Sequence, residues 1–91
     1  MSVNLYVRCS VSLGLFESEF YVRLIESSAY VDRSNVRVKA VPESGREVEG
    51  EVLAYLIQEN ENTNQALVEL PGEPVVGGLR SWVPKSLLTA A

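Results

Sequence analysis

The chain has 91 residues, of which 46% are hydrophobic and 22% are charged. This composition is typical of one small globular domain, because two separate cores would each have too few residues to fold without disulfides or metals. The chain has no histidine and one cysteine, Cys9, which excludes an internal disulfide, a Cys/His metal site and histidine-dependent catalytic triads or dyads.

The net charge of −4 is unevenly distributed along the chain. Residues 1–41 carry five cationic and four acidic side chains, whereas residues 42–91 carry three cationic and eight acidic ones. An acidic chain argues against general binding of polyanions. The sequence also has no apolar run of the ~20 residues that span a membrane and no apolar stretch typical of a signal peptide. We therefore expect a cytoplasmic protein in which Cys9 is a small buried hydrophobe.

A period-two pattern predicts an N-terminal β-hairpin. Apolar residues occupy the odd positions from Val3 to Leu15, and the even positions between them are mostly polar. This alternation indicates a strand with one buried face. Gly14 and the polar cluster Glu17–Glu19 predict a turn, after which Phe20–Leu24 alternates again as the returning strand.

Two short strands and an acidic loop are predicted next. Ala29–Val31 has β-forming residues, Asp32–Asn35 is a polar turn, and Val36–Ala40 alternates apolar with cationic residues. The following segment, Glu43–Glu51, combines acidic side chains with two glycines, which is typical of a loop.

The remaining pattern predicts a second hairpin and a final strand. Val52–Ile57 is apolar on both faces, which favours a strand that is central or covered twice. A polar tip, residues 58–65, separates it from the strand Ala66–Leu70. Residues 71–78 contain prolines and glycines that break the chain, and the last strand, Leu79–Val83, should end at the proline that follows it.

Two parts of the sequence resemble each other. Residues 28–36 (SAYVDRSNV) and 80–88 (RSWVPKSLL) align at an offset of 52 with two identities and an aromatic residue at the same position. Upstream, residues 22–24 resemble residues 68–70 at an offset of 46, which places an insertion within residues 71–78. Either the chain contains a duplication, or this is chance similarity in a β-rich sequence.

The segment GGLRSWVPKSLL, residues 77–88, resembles the end of a Src-homology-3-type barrel, and SSAYVDRSNV, residues 27–36, is similar to the same place in bacterial relatives. In that family an aromatic residue and a valine finish a strand, a single 3₁₀ turn containing serine follows, and an aliphatic residue opens the last strand. The resemblance implies an all-β fold, a Src-homology-3-like small barrel with an extra N-terminal β-hairpin and little helix beyond single 3₁₀ turns. Residues 1–91 would form one domain, interpreted as two fused half-repeats or as a hairpin (1–35) added to a barrel-like part (36–91).

Peptide-binding members of this family hold proline-rich ligands with tyrosines in their first loop. The corresponding loop here, Glu43–Glu51, has no aromatic residue, so proline-rich recognition is not the expected function. We predict a non-enzymatic protein-interaction or assembly module, a monomer or homodimer without cofactor, whose partner is a protein. The predicted contact residues are Trp82, Tyr55, Val75, Val76 and Leu79.

Nucleic-acid binding is the alternative function. If the apolar positions of the first strands face inward, cations and tyrosines share the opposite face and could hold phosphates and stack on bases. These residues are Tyr6, Arg8, Tyr21, Arg23, Arg37 and Lys39. The negative net charge of the chain favours the other explanation, that they are ordinary outward residues whose cations meet nearby glutamates.

An acidic metal site is a further alternative, because hard cations take oxygen ligands. The candidate ligands are Glu43, Glu47, Glu49, Glu51, Glu59 and Glu61. Their spacing matches no known metal-binding loop, and solvated acidic loops explain them. We therefore predict no metal site and no enzymatic activity.

Overall fold

The computed structural model describes residues 3–91, and the regular structure within them consists of β-strands and two 3₁₀ turns. The nine strands of this part of the chain are β1 (Val3–Leu13), β2 (Glu19–Arg23), β3 (Ser28–Asp32), β4 (Val36–Arg37), β5 (Val48–Asn60), β6 (Gln65–Glu69), β7 (Glu73–Val76), β8 (Arg80–Pro84) and β9 (Leu88–Ala90). The first 3₁₀ turn is Arg33–Asn35 and the second is Lys85–Leu87. The predicted all-β fold is confirmed.

The N-terminal hairpin has the predicted inward and outward faces from Leu5 to Val11, whereas Leu13 and Leu15, also predicted to face inward, are 37% and 73% exposed, because β1 ends at Leu13. On β1 the odd residues Leu5, Val7, Cys9 and Val11 are buried, and the even residues between them are exposed or half-buried. Strand β2 pairs antiparallel with β1. The side chain of Val3, also predicted to face inward, lies outside the described residues. Alternation along β1 therefore identified one wall of the hydrophobic core.

All strands belong to one curled sheet. The main path has the order β7-β3-β2-β1-β5-β6-β8, while β4 pairs with β5 and β9 pairs with β1. Strands β7 and β8 are at opposite ends of this path, yet only residues 77–79 join them. Four Cα–Cα steps reach about 15 Å, whereas seven flat strands would place the outer two about 29 Å apart. The sheet must therefore curl into a half-barrel, which is compatible with the predicted small barrel.

The two halves of the chain have equivalent strands in equivalent register. Strand β3 begins at residue 28 and β8 at residue 80, which is the offset of 52 seen in the sequence, and the 3₁₀ turns that follow keep it. Strands β2 and β6 begin at residues 19 and 65, an offset of 46. The predicted insertion, residues 71–78, contains β7, which pairs with β3 and has no counterpart in the first half.

Each half ends on the first strand of the other half. After the first 3₁₀ turn, β4 pairs with β5, and Val36 lies opposite Val52. After the second 3₁₀ turn, β9 pairs with β1, and Leu88 lies opposite Val7. The long strands β1 and β5 also pair with each other. This exchange joins the two halves through their first strands.

Several boundaries differ from the predicted ones, and strands β5 and β6 take up both ends of the predicted polar tip, residues 58–65. The strand expected over Val36–Ala40 ends at Arg37, because Val38 turns to pack over Gly50. Strand β5 is longer than Val52–Ile57, because it pairs with β1 already from Val48. Residues 73–76 form a strand where a break was expected, since a proline is tolerated in a strand at the edge of a sheet.

Candidate functional site

Trp82 lies on the outward side of β8. Its neighbours Ser81 and Val83 are buried, while the Trp82 side chain is half-buried. Leu67 of β6 lies directly opposite Trp82 and is also half-buried. Tyr55 is on the outward side of β5 and pairs with a residue of β6. The structure therefore places Trp82 and Tyr55 on the outward side of the adjoining strands β5, β6 and β8.

The other three predicted contact residues are located elsewhere. Val75 and Val76 are 47% and 57% exposed on β7, which pairs with β3 and not with β8. Leu79 is half-buried against the core, and its carbonyl oxygen accepts a hydrogen bond from the backbone N–H of Leu70 at 2.9 Å. These residues connect β7 with β8 along the chain but do not share a strand with Trp82.

The alternative basic face is rich in contacts that compensate its charge. The Arg37 guanidinium lies 3.5 Å from the centre of the Tyr6 ring and forms an ion pair with Glu51 at 3.1 Å. Arg8 donates a hydrogen bond to the backbone carbonyl oxygen of Ser86 at 3.1 Å. Arg8, Arg37 and Lys39 line one surface cleft of about 420 Å³ together with two glutamates. The cations are brought together, but alongside carboxylates.

The β2 part of that face is separate from this cleft. Tyr21 packs against Tyr30 of β3, with ring centres 5.5 Å apart. Arg23 donates two hydrogen bonds to Glu47, the shorter of them 2.7 Å. This contact lowers the pKa of Glu47 and raises that of Arg23. Both groups are exposed, so the pair contributes little to stability.

A second cleft, of about 500 Å³, was not predicted from the sequence. We call it the β8 cleft, because its lining includes residues of β8 and of the 3₁₀ turn that follows. Its lining residues are Arg8, Cys9, Ser10, Arg23, Leu24, Ile25, Glu47, Val48, Glu49, Val83 and Leu87. The strand alternation had singled out Arg8 and Arg23, but the lining comes from separate segments, so no local pattern indicates that these residues meet the others here.

Cys9 is the one nucleophilic thiol of the chain, and it lines the β8 cleft. Burial, with a smaller contribution from the negative charge of Glu51, raises the pKa of Cys9 to about 12. The thiol is therefore protonated at neutral pH and is a poor nucleophile. Within residues 3–91 no group of three or more acidic or cysteine side chains is arranged to hold a metal ion.

Two findings complete the description. No helix within residues 3–91 is long and apolar enough to cross a membrane. In comparisons with known proteins, the chain matches no protein-family model, no curated protein and no solved structure. The function must therefore be argued from the residues themselves.

Proposed function

We propose that this chain is a non-enzymatic protein-interaction module with a Src-homology-3-like barrel, and that Trp82 is central to its contact surface. The observation that carries the proposal is the position of Trp82, half-buried on the outward side of β8 beside Leu67. Tryptophan and tyrosine are the residues most enriched among those that dominate binding energy in protein interfaces. Tyr55 extends the surface along β5.

The exposed valines of β7 form the second part of the proposed surface. Val75 and Val76 present apolar side chains to solvent, and Leu79 lies in the segment between them and β8. Apolar side chains exposed together on one short strand are typical of interaction surfaces.

The free thiol of Cys9 supports a reducing, cytoplasmic location.

The test compares two aromatic residues at equivalent positions in the two halves. Trp82→Ala removes the proposed contact, and Tyr30→Ala is the matched control, because β3 corresponds to β8 at an offset of 52. Wild type and both variants are immobilised and exposed to lysate from the source organism, and captured proteins are quantified by mass spectrometry. The partner is then purified for affinity measurements.

We expect at least one protein to be retained by wild type and Tyr30→Ala and to bind Trp82→Ala about 30-fold more weakly, as at an energetically dominant contact. Urea unfolding and far-UV circular dichroism verify that each variant is folded. If folded Trp82→Ala captures every partner as wild type does, Trp82 is not the contact residue and the proposal fails.

Nucleic-acid binding is a second candidate, favoured by the cleft that Arg8, Arg37 and Lys39 share. The stacked Arg37–Tyr6 pair offers a cation and an aromatic ring at the same place. This function requires an affinity for single-stranded RNA that falls steeply with salt concentration and falls further in Lys39→Ala. No binding at low salt would eliminate it.

A further inference from the structure

The outer edge of β8 has backbone groups that no strand within residues 3–91 pairs with. On its inner edge β8 pairs with β6, and the same register continues at both ends. Leu70 N–H donates to the Leu79 carbonyl at 2.9 Å, and Lys85 N–H donates to the Asn64 carbonyl at 3.1 Å. Backbone groups alternate in direction along an antiparallel strand. The N–H and C=O groups of Arg80 and Trp82 therefore point away from β6.

The equivalent edge in the first half is occupied. Leu24 N–H donates to the Ser27 carbonyl at 2.8 Å, and the register of β2 with β3 is the counterpart of that of β6 with β8. By the same alternation, the backbone groups of Ser28 and Tyr30 point away from β2. There they meet β7, in which Val76 lies opposite Ser28. Ser28 and Tyr30 correspond to Arg80 and Trp82.

Strand β7 reaches this edge by a close backbone approach. A Cβ atom at Gly72 would lie 2.2 Å from the Tyr30 carbonyl oxygen, so only glycine fits. The segment that follows has the sequence Glu-Pro-Val-Val. The fold therefore places a short extended segment, with β-branched residues and one proline, against the outer edge of β3.

The β8 cleft lies beside β8 and includes one residue of that strand. It is lined by Val83 and Leu87 from β8 and the second 3₁₀ turn, and by Leu24 and Ile25 from the turn after β2. The charged lining residues are two arginines, Arg8 and Arg23, and two glutamates, Glu47 and Glu49, so the cleft has no net charge and its apolar residues favour an apolar occupant. A strand lying there is flanked by β8 and by the β2–β3 turn.

We propose that the outer edge of β8 is a strand-addition site for an extended apolar segment of a partner protein, with the chemistry of β7. The inference rests on the proposed protein-interaction function and specifies how the partner binds. The segment lies antiparallel to β8, bonds to the backbone of Arg80 and Trp82, and packs its apolar side chains into the β8 cleft. A single segment is favoured over a second copy of the chain, because one short extended segment, β7, fills the equivalent edge of the first half.

Amide hydrogen exchange in the free protein tests the open edge. We expect the amides of Arg80 and Trp82 to exchange at least tenfold faster than those of Ser28 and Tyr30, which β7 covers. Ser81 and Val83 serve as internal controls, because their amides face β6 and should be protected. Equal protection of the two edges would overturn the proposal.

Peptide binding tests the occupant. The probe is an N-acetylated, C-amidated peptide with residues 71–78 of this chain (PGEPVVGG), titrated into the ¹⁵N-labelled full chain. We expect shift changes at Arg80, Trp82 and Leu87, and at least tenfold slower exchange of the Trp82 amide at saturation. No binding, or changes confined to Ser28 and Tyr30, would overturn the proposal.

A pair of variants separates backbone from side-chain effects. Arg80→Pro removes the outward N–H, whereas Arg80→Ala removes the same side chain and its ion pair with Glu69 but keeps the N–H. Loss of one hydrogen bond should make peptide binding about fivefold weaker in Arg80→Pro than in Arg80→Ala. Equal affinities would contradict strand addition. Urea unfolding verifies that both variants are folded.

The outcomes also distinguish this inference from the proposed function. A partner that is lost in Trp82→Ala but binds Arg80→Pro and Arg80→Ala equally would leave the interaction function intact and overturn strand addition. If the Arg80 and Trp82 amides become protected only as protein concentration and solution mass rise together, the occupant is a second copy and the partner-segment proposal is wrong.

Discussion

Val7 and Val52 lie directly opposite each other on β1 and β5, and each is fully buried. On its other side Val7 faces Leu88 of β9, and Val52 faces Val36 of β4. Each valine therefore lies between the other valine on one side and the last strand of the other half on the opposite side. The pair marks the centre about which the two halves of the chain are related.

The equivalence of Val7 and Val52 predicts equal effects of substitution. Val7→Ala and Val52→Ala each remove two methyl groups from the core and should each lower the free energy of unfolding by about 2 kcal/mol. Urea denaturation measures both. The double variant should deviate from additivity, because the two side chains are neighbours. A difference of more than about 1 kcal/mol between the single variants would show that the two halves are packed differently.

Strand exchange predicts that the halves do not fold separately. A fragment of residues 36–91 lacks β1. In it, β5 would lose the partner of its long antiparallel ladder, and β9 would lose the strand with which it pairs. We expect this fragment to show the circular dichroism of an unfolded chain and to gain β-structure on mixing with residues 1–35. A cooperative unfolding transition of residues 36–91 alone would contradict this prediction.

Local patterns account for what could be predicted from the sequence. The alternation along β1 and the match of residues 28–36 with residues 80–88 are both contained in short segments, and both correspond to structure. Trp82 is likewise proposed as a contact residue from its residue type and its place in a repeat. Such features depend on neighbours along the chain, so the sequence displays them directly.

Long-range pairing accounts for what was missed. Strand β7 looks like a chain break, because Pro74 and the surrounding glycines are typical of turns, and its partner β3 is more than 40 residues away. The β8 cleft is likewise assembled from distant segments. The stacking of Arg37 on Tyr6 depends on β4 and β1 both pairing with β5. No period within a short window encodes these approaches.

Two adjacent glycines test how β7 is held. Gly77 and Gly78 both have φ of 73°, but a Cβ atom at Gly77 would lie 2.3 Å from the Glu26 carbonyl oxygen, whereas Gly78 faces open space. Gly78→Ala should cost about 1 kcal/mol from the backbone conformation alone. Gly77→Ala should cost at least about 1 kcal/mol more, because the β2–β3 turn must move. Equal unfolding free energies would show that this contact is dispensable.

The ion pair of Arg23 with Glu47 predicts a pH-dependent contribution to stability. Its hydrogen bonds to Arg23 hold the pKa of Glu47 below the ordinary value of 4.5. The folded state therefore keeps the carboxylate ionised at a pH where the unfolded chain has bound a proton. The stabilisation is present above about pH 4.5 and is lost as pH falls through the lower pKa of the folded state.

Urea unfolding of wild type and Glu47→Gln between pH 3 and pH 7 tests this contribution. The small difference in the free energy of unfolding between the two proteins should shrink as the pH is lowered. In an Arg23→Gln background the pH-dependent part of the difference should disappear. A difference that is constant across this range, or that persists without Arg23, would show that the hydrogen bonds do not act on Glu47 as inferred.

The buried thiol of Cys9 predicts a contribution to stability that is lost at high pH, whereas that of Glu47 is lost at low pH. Burial raises the pKa of Cys9 from 9.0 to about 12, so the unfolded chain loses the thiol proton at a pH where the folded state still holds it. The resulting stabilisation is complete below pH 9 and is lost as pH rises toward 12. The destabilisation caused by Cys9→Ala should therefore be about 1 kcal/mol smaller at pH 10 than at pH 8. Urea unfolding at the two pH values measures it.

The reactivity of the same thiol gives an independent check. At pH 8 a disulfide reagent such as 5,5′-dithiobis(2-nitrobenzoate) should label the folded protein only through opening of the structure, because the thiol is buried as well as protonated. The labelling rate should rise steeply with urea and be lowered by substitutions that stabilise the fold. Rapid labelling at the rate of an exposed cysteine, unaffected by urea, would show that the β8 cleft opens to the thiol without unfolding.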